Sequence, residues 1–363
     1  MKRRDKKWAM PAGPILHSFL ERTRAAKKII VVDFGFLGDS VHLLPALWEI
    51  KRHYAAAELH TLSAPVGAEL LGMAPCVDRP WAFPLTAKSP AWWRHWDILR
   101  ALRRQRFDLA FNFTGSDRSI FTTAFIGAQW ALGYEAGRTH FWNRWLASDW
   151  VQRASRELPV FEQRRQVLTA RGFSLQPARF DLRVPEEARQ WARQAVPENV
   201  THLAINASTP IKEWPLENWI ALGKTLLAAD SKLRLAATAS ANPREQERLA
   251  ALAKGVNDNR LVCLADSSVA RLAAVLQRSR LQIGCDSGVL HLAMALGVPT
   301  LTVVRDHVGL KEWMPVGEQH RQFVAQCRCL KENRTDCLAA GKASCLASIS
   351  VEQVAEEAPR QLR

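Results

Sequence analysis

The chain has 363 residues, too many for one ordinary domain and enough for two. Its 48% hydrophobic share is that of a globular protein with real cores. The net charge of +15 is uneven: residues 1–180 carry +12 and residues 181–363 only +3. The first half is therefore suited to an anionic partner, whether nucleic acid, a membrane surface or a phosphorylated substrate. No run approaches the roughly 18 apolar residues of a spanning helix. The basic start, Lys2-Arg3-Arg4-Asp5-Lys6-Lys7, leads into Pro11, Gly13 and Pro14 rather than the apolar core of a signal peptide. The expectation is a cytoplasmic protein.

Residues 1–26 read as a basic extension, with Ile15, Leu16, Phe19 and Leu20 at helical spacing and Arg22 and Arg24 beyond them. Such a segment suits either an anionic membrane face or a tail with one docked turn. Lys28-Ile29-Ile30-Val31-Val32-Asp33 predicts a buried parallel strand. The loop 34–38 follows, and Asp39-Ser40 opens a helix through Leu43, Leu44, Leu47 and Ile50. This is a first strand-to-helix turn, where open α/β sheets place ligands. It lacks the Gly-rich dinucleotide fingerprint. Asp39 is a helix cap, a catalytic carboxylate, or both.

The alternation continues with strands over 58–62, 107–111 and 130–134, and helices over 66–71 and 119–126. Residues 91–106 are rich in both Trp and Arg, and Arg138 to Trp150 form a second aromatic-basic stretch. Nucleic-acid stacking, lipid-interface anchoring and phosphate binding all use that mixture. An amphipathic helix with a Trp/Leu core face and a solvated Arg face explains the first stretch equally well.

Residues 181–200 read as a linker, with Pro185 and Pro197 flanking a charged helical stretch. Alternation then restarts, with strands over 202–206, 233–238, 261–264, 281–284 and 300–304 and helices starting near Pro215, Pro243, Ser268 and Ser287. Two β-α-β halves imply two doubly wound domains facing each other across a cleft. In the first turn of the second half, Ser208, Thr209 and Lys212 precede a helix whose first residue can be Pro215. They can grip phosphate oxygens there, or be a capped loop with a surface lysine. Leu281 to His291 reads as strand, tight turn and helix. Gly284 and Gly288 permit a close ligand approach, and Asp286 or Ser287 caps the helix that carries His291.

Seven cysteines, an odd number, argue against a fully paired disulfide framework. Cys327, Cys329, Cys337 and Cys345 cluster, but their C-x-C-x7-C-x7-C spacing matches no common zinc motif. Metal ligation and thiols in an ordered loop both remain open. No metal is assigned to the site.

These pieces together resemble glycosyltransferase family 9, the lipopolysaccharide core heptosyltransferases. The resemblance spans about residues 28–355. It rests on Leu37-Gly38-Asp39 with Pro45-Ala46-Leu47; Phe107-Asp108-Leu109 leading to Gly115-Ser116 and Arg118-Ser119; Leu132-Gly133-Tyr134; Lys212-Glu213-Trp214-Pro215; and Asp286-Ser287-Gly288 with His291 and Ala295 to Pro299. The resemblance implies a GT-B fold. Its N-terminal acceptor domain would span 27–184 and its nucleotide-sugar domain 185–349, with a closing helix over 350–363. It implies inverting transfer of heptose from ADP-heptose, the donor substrate, with no cofactor and no obligatory metal. Asp39 matches the catalytic carboxylate. Lys212, with Ser208 or Thr209 beside it, matches the phosphate-binding lysine. Asp286 and His291, with Ser287 and Gly288, match the donor site. An anionic glycolipid acceptor would meet Arg94, Arg103, Arg104 and Arg118, at the inner face of the inner membrane and with no nucleic acid involved. Another nucleotide-sugar is the alternative within the fold, and a basic nucleic-acid-binding protein the alternative outside it. The chain departs from the family in three places. Asp33 stands where Lys or Arg is usual, Phe34-Gly35-Phe36 replaces small hydroxyl residues, and Arg305-Asp306-His307 replaces Gly-Pro-Thr near the donor.

Overall fold

The run Ile29 to Val32 is apolar on both faces, and in the computed structural model it is the buried strand β1, Lys28–Asp33. The structure describes residues 18–84, 95–135, 145–152, 155–332 and 336–361. The first sheet holds β1, β2 (Glu58–Ser63), β3 (Arg79–Ala82), β4 (Leu109–Asn112), β5 (Trp130–Glu135) and β6 (Asp149–Gln152). The second holds β7 (Val200–Ala204), β8 (Leu235–Thr238), β9 (Leu261–Leu264), β10 (Ser279–Cys285), β11 (Thr300–Arg305) and β12 (His320–Ala325). The orders are β3-β2-β1-β4-β5-β6 and β12-β11-β10-β7-β8-β9. Every pairing given is parallel. Counted from its own first strand, each sheet has the doubly wound order 3-2-1-4-5-6. Strand direction switches outward between β1 and β4, and between β7 and β10. Such switch points open a crevice at the carboxyl ends of the strands.

Three strands fall outside the sequence expectation: β3, β6 and β12. All three are sheet edges. The first contains Pro80 and is mostly exposed, and β12 is exposed at Arg321, Gln322 and Val324. Edge strands need no continuous apolar run, so they leave little trace in the pattern. The expected extension ends in the helix Ser18–Thr23, which docks on the first domain. Phe19 meets Phe111 edge-on, and Thr23 Oγ1 lies 2.7 Å from Tyr54 Oη. The linker contains the helix Glu186–Ala195, whose Ala188 and Ala192 are buried in the apolar seam described below. The closing helix Val351–Arg360 starts in a capping box of Ser350 and Gln353, and its Val354 is buried in the second core.

The halves meet along one apolar seam. Val41, Leu70 and Met73 of the first domain join Val269, Leu272 and Leu292 of the second. At its end the helix Leu37–His53 abuts the helix Gly288–Ala295. Two glycines set that approach. A Cβ on Gly38 would lie 2.6 Å from the His291 ring, and one on Gly288 would lie 2.7 Å from Leu37 Cβ. Gly288→Ala should therefore push the domains apart. Overpacking of this kind costs about 1–3 kcal/mol. The expected result is a lower thermal midpoint and a larger radius of gyration in small-angle scattering. An unchanged radius would mean that the contact does not set the domain spacing.

Candidate functional site

A cavity of about 850 Å³ lies between the domains. Its first wall includes Gly35 to Asp39, the turn after β1. Its second includes Ser208, Lys212, the turn Asp286 to Gly288, His291 and His307.

On the first wall, the helix begins at Leu37, earlier than expected, so Asp39 occupies its third position. Asp39 Oδ2 accepts the Phe36 N–H at 2.9 Å, which satisfies one of the helix's orphan donors. The carboxylate still lines the cavity, so capping leaves it available there. Beside it is a residue that the sequence did not flag. Arg164, on the helix Val160–Thr169, is buried. It lies 2.7 Å from Asp33 Oδ2 and 3.5 Å from Asp39 Oδ1, and it donates to the Asp39 carbonyl at 2.5 Å. The Asp33 departure is thus answered by a cation from elsewhere in the chain. Asp33 Oδ1 also accepts the Gly35 N–H at 2.8 Å. Burial, and then repulsion from Asp33, raise the Asp39 pKa above the ordinary carboxylate value, while Arg164 pulls it back.

The second wall is built by the Lys212-Glu213-Trp214-Pro215 stretch. Glu213 accepts the Ala207 N–H at 3.0 Å and both its oxygens take Arg244, at 2.6 and 2.7 Å. Trp214 is fully buried edge-on to Trp219 and donates to Ile349 O at 3.2 Å. The loop that carries Lys212 is thereby fixed at both its polar and its apolar residues. Pro215 sits at the N-cap of the helix Leu216–Ala229 rather than at its first position. Ser208 is exposed and lines the cavity; Thr209 is exposed and is not part of the lining.

Lys212 Nζ lies 2.7 Å from Asp286 Oδ2, and His307 Nε2 lies 3.7 Å from the same oxygen. Burial opposes ionisation of Asp286, but His307 and Lys212 together hold its carboxyl well below the usual range. Asp286 in turn raises the His307 pKa against the effect of burial. Asp286 is therefore not the helix cap. Ser287 holds that position without a side-chain hydrogen bond, and its buried Oγ has no protein partner. The helix start thus presents free backbone N–H groups toward the cavity.

His42 Nε2 and His291 Nδ1 meet across the domain junction at 3.1 Å. Both rings are buried, with Trp313 packed against each. Burial lowers both pKa values, that of His291 to about 4. The pair is neutral at pH 7, one ring donating and the other accepting.

The arginine expectations divide. Arg118 stands in the first turn of the helix Asp117–Ile126, after the carboxyl end of β4, but does not line the cavity. Arg94 lies outside the described residues. Arg103 and Arg104 are at the wrong end of the sheet for the expected acceptor role. They close the helix Trp96–Arg104, and Arg103 Nη1 donates to Phe125 O at 2.6 Å. Arg103 borders a separate hollow with Phe107 and Asp108, and Asp108 takes the Lys28 N–H at the amino end of β1. A helix crossing between parallel strands runs back toward their amino ends, so its last residues finish far from the crevice. Leu99 and Leu102 of that helix are buried and Arg100 stacks over Trp96, as an amphipathic core helix requires.

Two like-wound parallel domains closing on a shared cavity define a GT-B fold. The chain belongs to glycosyltransferase family 9, the heptosyltransferases, whose model matches residues 95–343. It is similar to lipopolysaccharide heptosyltransferase 1 of Pseudomonas aeruginosa, at 27% identity over 294 residues, covering 76% of this chain and 78% of that one. Its fold matches the family 9 glycosyltransferase from Veillonella parvula with TM-score 0.77 at 18% identity, covering 93% and 97%. It also matches the E. coli heptosyltransferase WaaC solved with ADP-2-deoxy-2-fluoro heptose, with TM-score 0.68 at 20% identity, covering 91% and 99%. No helix among the described residues is long and apolar enough to cross a membrane.

The neutral histidine pair gives a signed prediction. Free histidine titrates near pH 6.5. Folding holds both rings neutral, so their contribution is fully present above about pH 6.5 and is lost as pH falls toward about 4. The thermal midpoint should drop through that window, and less steeply in His42→Gln. Parallel curves for the two proteins would remove the pair from the account.

Proposed function

We propose that this protein transfers heptose from ADP-heptose, with inversion, to an anionic lipopolysaccharide inner-core acceptor. One observation carries the reading: Asp39 and the Lys212–Asp286–His307 cluster stand on opposite walls of one cavity. The acceptor hydroxyl has a pKa far above 7 and needs a base as its oxygen attacks the anomeric carbon. Asp39 takes that proton. Its raised pKa makes it a better base than an ordinary carboxylate, and Arg164 favours its ionised form. The departing diphosphate gathers negative charge on the other side. Lys212, His307, whose pKa Asp286 raises, and the N–H groups at Gly288 and Val289 offset it there. Attack from one wall and departure at the other inverts the anomeric centre.

Asp286 orients Lys212 and His307, and Ser208 and Ser287 supply hydroxyl groups beside them. His291 sets the floor between donor and acceptor. No Asp-x-Asp pair occurs in the chain, and the reading needs no metal at the diphosphate. The solved relative that carries an ADP-2-deoxy-2-fluoro heptose, and the curated lipopolysaccharide heptosyltransferase 1, support this donor and acceptor class. The acceptor enters from the first domain, whose +12 charge over residues 1–180 favours an anionic glycolipid at the inner face of the inner membrane. Phe36 and Val66, both exposed at the cavity, give that entrance apolar contact.

Two substitutions separate the walls. Asp39→Asn should keep ADP-heptose affinity and lower kcat by about 10²–10⁴. Lys212→Ala should instead weaken ADP-heptose binding in calorimetry while the fold persists. Near-normal turnover of Asp39→Asn, or an unchanged Kd for Lys212→Ala, would overturn the corresponding half of the assignment.

A further inference from the structure

Four of the seven cysteines converge at the carboxyl ends of β11 and β12, away from the reacting groups. The Sγ atoms of Cys327, Cys329 and Cys337 all lie within 4.8 Å of one another. Cys329 and Cys337 are 3.3 Å apart, sulfur to sulfur. The Cys345 thiol is hydrogen-bonded to Cys327. None of the four is in a disulfide. A tetrahedral zinc with Zn–S bonds of about 2.3 Å holds its sulfurs about 3.8 Å apart. The cluster already has that scale, while a disulfide would need about 2.05 Å.

The surroundings fit ligation. Cys329 is in the helix Arg328–Lys331, Cys337 in the helix Asp336–Ala339 and Cys345 in the 3-10 turn Ser344–Ser348. Each is far below the about 12–15 residues at which a helix holds itself in water. Three short turns that bring one sulfur each to a common point gain order from whatever joins those sulfurs. Arg305 Nη1 approaches the Cys327 sulfur at 3.9 Å, and Arg305 Nε is buried with no protein partner. A divalent ion with four thiolates carries a net double negative charge, which an adjacent guanidinium offsets.

We propose that Cys327, Cys329, Cys337 and Cys345 form a closed tetrathiolate site for one thiophilic metal ion, zinc or iron. Four sulfur donors in tetrahedral array select those metals, and a site with four protein ligands is structural rather than catalytic. Each thiol loses its proton to solvent as its metal–sulfur bond forms. The unusual spacing, C-x-C-x7-C-x7-C, is compatible with this because three separate turns, not one zinc ribbon, present the ligands. The ion would also brace the donor wall. Arg305 pairs in register with Ala325, Asp306 donates to Ala325 O at 2.8 Å, and His307 follows immediately.

The test uses the full chain purified under reducing conditions without added metal or chelator. Elemental mass spectrometry should find about one zinc or one iron per chain, and the element found identifies the ion. Titration of that wild-type protein with a mercurial should release the metal as the cluster thiols react. Cobalt supplied to metal-stripped protein should give thiolate charge-transfer bands and the intense visible bands of tetrahedral cobalt. Cys329→Ser and Cys337→Ser should lose the metal, and Cys263→Ser, in β9, should keep it. A chain with no bound zinc or iron that takes up neither zinc nor cobalt overturns the proposal, as does a Cys329–Cys337 disulfide in the freshly purified protein. These readouts do not depend on ADP-heptose, so failure here leaves the transfer reading standing, and failure of that reading leaves the metal site standing.

Discussion

The site depends on the close approach of two helix ends from different domains. Leu37–His53 and Gly288–Ala295 touch only because Gly38 and Gly288 lack side chains. That contact puts Asp39, in the first turn of one helix, and the N-terminus of the other on a single cavity. The same contact buries His42 and His291 against each other, where neutral imidazoles fit and a charged pair would repel. Glycine on both sides is therefore a geometric requirement of the cavity. Either domain alone presents half a site.

The electrostatics divide in the same way. Two carboxylates, Asp33 and Asp39, share Arg164 on the first wall. One of them is sealed in the protein and the other faces the cavity, so the guanidinium both neutralises the buried charge and tunes the exposed one. Removing one partner of a buried ion pair typically costs about 3–5 kcal/mol, which ties this tuning to the stability of the first domain. On the second wall, Asp286 gathers Lys212 and His307 at one point. The second wall thus carries basic side chains at its rim, organised by one carboxylate behind them.

Much of this was legible in the residues. Lys28–Asp33 is apolar on both faces at Ile29 to Val32, Ser279–Cys285 buries Leu281, Ile283 and Cys285 on one face, and the turns after both strands carry polar groups of the cavity. The repeated doubly wound order was visible as alternation, although the two halves share no sequence-level repeat. Edge strands were missed because their burial is partial. Arg164 and His42 gave no signal, since each sits in an unremarkable helix and gains its role from a partner far away in sequence. Composition marks the basic helix of Arg103 and Arg104 but not which of its ends meets the crevice, and both residues stand at the end away from it. His307 belongs to the turn that departs from the family pattern, and the structure gives that departure a use beside Asp286.

The pH dependence of transfer tests the central claim most directly, comparing wild type with Arg164→Gln at a temperature where both are folded. If Asp39 is the base and Arg164 its counter-charge, kcat falls on the acid side as Asp39 takes up a proton. That limb lies above the ordinary carboxylate range in the wild type, because burial and Asp33 raise the Asp39 pKa. Loss of the guanidinium leaves Asp33 to repel Asp39 unopposed and moves the limb to higher pH. An acid limb in the same place in both proteins would show that another group takes the proton.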